Sequence, residues 1–265
     1  MAVLLGLGAV SCGSDERTAD SVMPTQESAT TLVAERGEPA VSGDITVFAA
    51  ASLTAAYTDI GDAFMTEYPD SKVTFNFASS SDLVTQINEG APADVFASAD
   101  QSNMTKLTDV GGNAGEPTVF ATNSLQIIVE PGNPKGITGV SDLANSDVLY
   151  VTCAPDVPIG KYAEQVLAAA GVTATPVSLE ENVKGIVTKV TLGEADAGIV
   201  YKTDVIAAGD KAEGIEIHAD VNVTATYPVV ATKQAPNAAG AQTFVDFVLG
   251  DQAQMILAGY GFTTP

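Results

Sequence analysis

From Asp44 onward, short apolar runs alternate with amphipathic stretches, and small residues separate each pair. Ile45-Thr46-Val47-Phe48 is continuous enough to predict a buried strand, and Leu53, Ala56, Ile60 and Phe64 then recur at helical spacing. Ser52 stands between the two and is expected to be the N-cap of that helix. The plan repeats at once. Val73, Phe75 and Phe77 alternate as in a strand, Ala78-Ser79-Ser80-Ser81 follows, and Leu83, Val84 and Ile87 give a second helix its apolar face. Ala93 to Ala97 predicts a third strand, and Met104, Leu107 and Val110 a third helix. A succession of this kind predicts an α/β protein with a largely parallel sheet.

A second α/β region opens with the strand Ser124 to Val129 and the turn Pro131-Gly132-Asn133-Pro134. Leu149-Tyr150-Val151 predicts a strand, and Pro158-Ile159-Gly160 starts a helix that Gly171 closes. Asn182-Val183-Lys184-Gly185 starts another helix, and Gly198 to Tyr201 predicts a further buried strand. Tyr227 to Ala231 reads as a strand leading back to the first region. One terminal helix with Phe244, Phe247, Val248, Met255 and Leu257 on its face ends the chain. These face-forming residues are expected to be ordinary core.

The N-terminus differs in character. Residues 2–10 are apolar but too short to span a bilayer, and they end in small residues before Cys12, the shape of a signal-peptide hydrophobic region. Ala9-Val10-Ser11-Cys12 is similar to a bacterial lipobox, which makes Cys12 the expected lipidation site and residues 1–12 the signal segment. The basic residues usual before such a run are absent, so the true start is expected to lie upstream. Residues 13–43 are polar, acidic and without periodicity, as in a flexible tether. With Cys12 lipidated, Cys153 has no partner and is expected to be a buried structural thiol.

Charge and composition narrow the function. The 265 residues carry 33 Asp and Glu against 11 Lys and Arg, a net charge of -22 that repels nucleic acid over most of the surface. One histidine and two cysteines are too few for a structural zinc site, an iron–sulfur cluster or a disulfide framework. Both arginines, Arg17 and Arg36, precede Asp44, so the folded region has no guanidinium to grip a carboxylate or phosphate ester bidentately. An anion bound here must rely on neutral donors or lysine. Helix N-termini at strand ends supply such donors, and a site built only of donors favours an ion that is acceptor-only at neutral pH. Ser52 or Ser80 could instead be an enzyme's nucleophile. The only available base, His218, lies in Ile215 to Ala219 away from any helix start, and neither a G-x-S-x-G elbow nor an S-x-x-K pair is present.

Ile45 to Thr54, Phe77 to Ser81, and Gly90-Ala91-Pro92-Ala93-Asp94-Val95-Phe96 together resemble the molybdate-binding proteins of bacterial ABC importers. The likeness continues through Val157 to Ala163, Glu181 to Gly185, Gly198 to Tyr201 and Tyr260 to Thr263, and so covers essentially the whole folded region. It implies a type 2 periplasmic-binding-protein fold, two α/β lobes joined by two crossover strands. Residues 44–122 and 226–265 would form lobe I and 123–225 lobe II, with crossings near Ala121 to Ser124 and Thr224 to Pro228. The ligand contacts it implies are the hydroxyls of Ser52 and Ser80, the backbone N–H groups of Ile159 and Val183, and the phenol of Tyr201. These would hold molybdate or tungstate as the whole oxyanion, with no direct ligand to the metal. Further implications are no cofactor, no catalysis, and a monomer outside the cytoplasm that delivers its ion to a membrane permease. A sensor using the same cleft is the alternative, and the expected lack of a second membrane segment or cytoplasmic domain favours transport.

Overall fold

The computed structural model describes residues 41–265, so the expected signal segment, the expected lipidation site Cys12 and most of the expected tether lie outside the described residues. The chain forms β1 (Gly43–Ala50), α1 (Thr54–Glu67), β2 (Ser71–Ala78), α2 (Ser80–Asn88), β3 (Val95–Ala97), α3 (Gln101–Thr108) and β4 (Thr118–Asn123). It continues through β5 (Leu125–Val129), β6 (Tyr150–Cys153), α4 (Pro158–Ala169), β7 (Ser178–Glu180), α5 (Val183–Thr191), β8 (Ala197–Tyr201), α6 (Lys202–Ala208) and β9 (Glu213–Glu216). It returns through β10 (Ala225–Ala231), α7 (Ala238–Leu249) and α8 (Asp251–Gly259). Two five-stranded sheets result, in the orders β2-β1-β3-β10-β4 and β7-β6-β8-β5-β9, and each is the centre of one lobe of a two-lobed α/β fold.

The sheets are mixed rather than largely parallel. β1 pairs parallel with β2 and β3, and β6 parallel with β7 and β8. The strands nearest the crossings run the other way: β10 is antiparallel to β3 and β4, and β5 is antiparallel to β8 and β9. The reason is connectivity. β4 leads into β5 through Ser124 alone, so a strand leaving one sheet must enter the next from its far end.

The strands that read as continuous apolar runs are buried on both faces. On β1, Ile45, Val47 and Ala49 enter the main core, while Phe48 enters a smaller cluster with Leu83, Phe96, Met104, Leu107 and Val230. The main core is cross-braced by aromatic edges. Phe64 on α1 meets Phe244 on α7 with centroids 5.2 Å apart in a T-shaped contact, a geometry worth about 0.5–1.5 kcal/mol beyond burial alone. Asp94 fixes the other end of β1: its carboxylate is buried and accepts from the N–H groups of Thr46 and Asn237, each at 2.7 Å.

Three local expectations are corrected. Ser52 is not a helix N-cap: β1 runs on to Ala50 and enters α1 through a 3-10 turn, Ala51–Leu53, so Ser52 sits inside the turn. The terminal helix is two helices, because Gly250 is extended (φ -80, ψ 162) between α7 and α8. Val110 and Met255 are exposed rather than core, Val110 because α3 ends at Thr108 and the chain turns at Gly111 with positive φ. Cys153 is free and buried on β6, where burial pushes its thiol up to about 12, so it stays protonated.

Candidate functional site

Six chain segments converge where the two sheets present their strand ends. They form a pocket of about 20 Å³ lined by Ala50, Ser52, Ser79, Ser80, Ile159, Asn182, Val183 and Tyr201 together with small apolar neighbours. The structure therefore brings Ser52, Ser80, Ile159, Val183 and Tyr201 together, although 149 positions separate the first from the last. All five are buried. Organic-ligand pockets run to ~300–1,000 Å³, whereas one water-sized sphere needs only ~10–15 Å³. The space suits a single small ion.

Each donor is freed by a local feature. Ser79 rather than Ser80 caps α2, its hydroxyl accepting from the Asp82 N–H at 3.1 Å, so the Ser80 hydroxyl is not consumed as a cap. The Ser80 oxygen instead accepts from the Ala99 N–H at 3.0 Å. On α4 the first residue, Pro158, has no N–H, and Val157 offers no side-chain cap, so Ile159 carries the first free backbone donor of the helix. On α5 the Asn182 side chain caps the Lys184 N–H at 2.9 Å, leaving the Val183 N–H one position earlier. Two helix N-termini thus face one pocket with partial positive charge. Gly185 and Gly160 lie just inside these helices, close against Glu180 and the Cys153–Ala154 backbone respectively.

Tyr201 ends β8. Its phenol is fully buried and makes no hydrogen bond among the described residues. Burial, reinforced by the neighbouring Tyr227 and Tyr162, raises its pKa well above the usual phenol range, so the group is an O–H donor at any physiological pH. Tyr227 and Tyr162 flank it at 5.7 and 6.4 Å between ring centroids. The Tyr227 hydroxyl donates to Ser52 Oγ at 3.2 Å.

The cations around the pocket are already engaged. Lys161 on α4 reaches across the cleft to Ser102 Oγ at 2.7 Å and the Asp100 carboxylate at 3.6 Å. Tyr162 donates to the Ala99 carbonyl at 3.3 Å. Lys184 pairs at 2.8 Å with Asp204, which is buried and also accepts from the Tyr201 N–H at 3.3 Å. The pocket is consequently lined by neutral donors. His218 is exposed beside Asp220, outside the pocket lining, and none of the lining side chains is a general base for Ser52 or Ser80.

Lys184→Met should destabilise the protein by about 3–5 kcal/mol, the usual cost of stranding a buried charge, and the deficit should depend on pH. Burial holds the Asp204 carboxyl above the usual carboxylate range, opposed by Lys184 and the Tyr201 N–H. For a raised folded-state pKa, the stabilising contribution is present in acid and lost as pH rises through the folded value. Removing Lys184 raises that value further, so melts of variant and wild type should diverge with rising pH. A deficit that stays constant with pH would contradict this role for the pair.

Sequence reasoning weighed Asn182 only as a cap, yet it both caps α5 and lines the pocket. It missed Asp204, whose signal was its spacing three residues after Tyr201, where a carboxylate can return to the first N–H of a short helix. It also missed Ala99, which enters through its backbone and leaves no side-chain signature.

The family described as "Bacterial extracellular solute-binding protein" matches residues 45–263. The molybdate-binding protein ModA of Mycobacterium tuberculosis strain H37Rv is 37% identical over 265 residues, covering 100% of this chain and 96% of the relative. ModA of Escherichia coli K12 is 37% identical over 236 residues, covering 83% and 89%. The solved periplasmic molybdate-binding protein of Azotobacter vinelandii superposes with a TM-score of 0.72 at 24% identity, covering 83% of this chain and 99% of that one, and shares the fold. A pocket of neutral donors between two mixed sheets, matched along nearly the whole described chain, places this protein in the bacterial extracellular solute-binding family that includes the molybdate-binding proteins ModA.

Proposed function

We propose that this protein captures molybdate, and tungstate with it, between its lobes and delivers the ion to the membrane permease of an ABC importer. The observation that carries the reading is the buried, unpartnered hydroxyl of Tyr201, in one small pocket with two helix N-termini and two serine hydroxyls. A buried polar group left unpaired costs about 1–3 kcal/mol, and a tetrahedral dianion accepting from it recovers that cost. Ser52, Ser80 and Tyr201 donate through hydroxyls, and Ile159 and Val183 through backbone N–H groups. Residues 44–122 with 226–265 supply the serines, and residues 123–225 supply the other three. Each lobe brings donors that are satisfied together only around one ion, so the ligand itself favours closure. Sulfate has the same charge and shape but is smaller, which stretches contacts fitted to the larger ion.

No reaction is catalysed in this reading. The protein acts as a monomer outside the cytoplasm, held to the membrane through lipid on Cys12, and uses no cofactor. A sensor would use the same pocket; the similarity to solute-binding proteins along the whole described chain favours transport.

Isothermal titration of the purified protein with molybdate, tungstate, sulfate and hydrogen phosphate tests the proposal. The expected result is tight one-to-one binding of the first two and weak or no binding of the others. Binding of none of the four, or preference for sulfate or phosphate, would refute it.

A further inference from the structure

Tyr227 stands one layer behind the pocket wall. It lies on the returning crossover strand β10, where the pairing with β4 shifts register between Tyr227 and Pro228. The extra residue of that bulge is Phe120 on β4, and the Tyr227 ring is held by edge-on contacts with Phe120, Tyr201 and Phe262 at 6.3, 5.7 and 5.4 Å. The side chain is fully buried, and its hydroxyl meets Ser52 Oγ at 3.2 Å. The Asn123 side chain also lies beside the phenol, with its amide donating to Thr203 Oγ1 at 2.9 Å, and the geometry directs the phenol proton to Ser52.

A serine hydroxyl can donate once or accept through two lone pairs. Which face it shows a ligand depends on what occupies the other side. Ser80 is fixed in this respect by the Ala99 N–H, a backbone donor that cannot reverse. The matching position at Ser52 is filled by a side chain, and that side chain is Tyr227.

We infer that Tyr227 is a positioning and specificity-determining residue: by donating to Ser52 it commits the Ser52 proton to the pocket and closes that wall to oxyanions that carry a proton of their own. The inference rests on the proposal that the pocket takes an oxyanion. With the Tyr227 hydroxyl removed, Ser52 is free to rotate and accept from a P–OH group. Hydrogen phosphate then gains a partner, while molybdate and sulfate, which have no proton to donate, only lose a well-oriented donor.

The test is titration of the full chain as wild type, Tyr227→Phe, Ser52→Ala and the double variant, with molybdate, sulfate and hydrogen phosphate. Tyr227→Phe should weaken molybdate and sulfate alike, by about fivefold to tenfold for one misoriented hydrogen bond, and should narrow the molybdate-to-phosphate ratio by more than that factor. In the Ser52→Ala background the same substitution should change neither ratio, because the residue through which it acts is gone. A purely structural role would weaken all three ions equally, and an effect that persists without Ser52 would place the action elsewhere; either result overturns the inference. Tyr227→Met, which keeps bulk without the hydroxyl, must reproduce the Phe variant and carries the test if that variant does not fold. Wild-type protein that binds no oxyanion would overturn the proposed function itself. Wild-type molybdate binding with unchanged ratios in Tyr227→Phe would overturn this inference alone.

Discussion

Gly160→Ala should lower the affinity for molybdate by about 100-fold or more and lower the melting temperature together with it. A Cβ at this position would stand 2.2 Å from the Ala154 carbonyl oxygen and 2.5 Å from that of Cys153. Both obstacles are backbone, so no side-chain rotation relieves the clash. The first turn of α4 must move away from the end of β6, and Ile159, the residue before Gly160, moves with it. Overpacking costs of ~1–3 kcal/mol or more are usual, equivalent in a chain of this size to a fall of about 2–12 °C. Displacing a donor by about 1 Å in a preorganised site can cost ~100-fold. Gly171→Ala is the control. It ends the same helix with φ +65 and has nothing within 4 Å of its added Cβ, so it should cost about 1 kcal/mol of stability and leave binding unchanged. Wild-type affinity in Gly160→Ala would show that the start of α4 is not part of the site.

Tyr201→Phe should separate stability from binding, with opposite signs. The phenol is buried without a partner, so removing its oxygen takes away an unsatisfied group and should raise the melting temperature of the ligand-free protein. The same oxygen is proposed to donate to a dianion, and a charge-assisted hydrogen bond is worth about 1.5–3 kcal/mol. Affinity for molybdate should therefore fall about 10- to 100-fold. Because burial keeps the Tyr201, Tyr227 and Tyr162 phenols above their ordinary pKa, wild-type affinity should not decline between neutral and mildly alkaline pH. A Tyr201→Phe protein that loses stability but keeps its affinity would mean that the phenol is ordinary core.

What could be read from the sequence follows from where each element is buried. β1, β5 and β8 have apolar side chains on both faces and stood out as continuous runs. β7 and β9 lie at sheet edges and alternate with Ser and Glu, as in Ser178-Leu179-Glu180, so no run announces them. The break at Gly250 was hidden because apolar spacing continues through both α7 and α8, and a lone glycine within such a pattern is usually tolerated. The assignment of Ser52 as an N-cap failed because it placed the end of β1 two residues too early, a boundary set by pairing of Ala49 and Ala50 with Phe77 and Ala78 rather than by local preference.

The pocket residues were legible only through their likeness to a family. Ser52, Ser80, Ile159, Val183 and Tyr201 belong to separate strand–helix junctions, and no local pattern distinguishes them from ordinary caps and core. The layer behind them was not legible at all. Tyr227 and Ser52 are 175 positions apart, so their contact exists only once the returning crossover strand has formed, and Ala99 meets Ser80 through a backbone N–H only once β2 and β3 flank β1.

Diffraction from crystals grown with molybdate, recorded at the molybdenum absorption edge, locates the bound ion. One anomalous peak is expected between the N-termini of α4 and α5, with the oxygens of the ion within hydrogen-bond distance of the Ser52, Ser80 and Tyr201 hydroxyls and the Ile159 and Val183 N–H groups. A peak elsewhere, or a pocket holding no molybdenum at saturating molybdate, would contradict the proposed site.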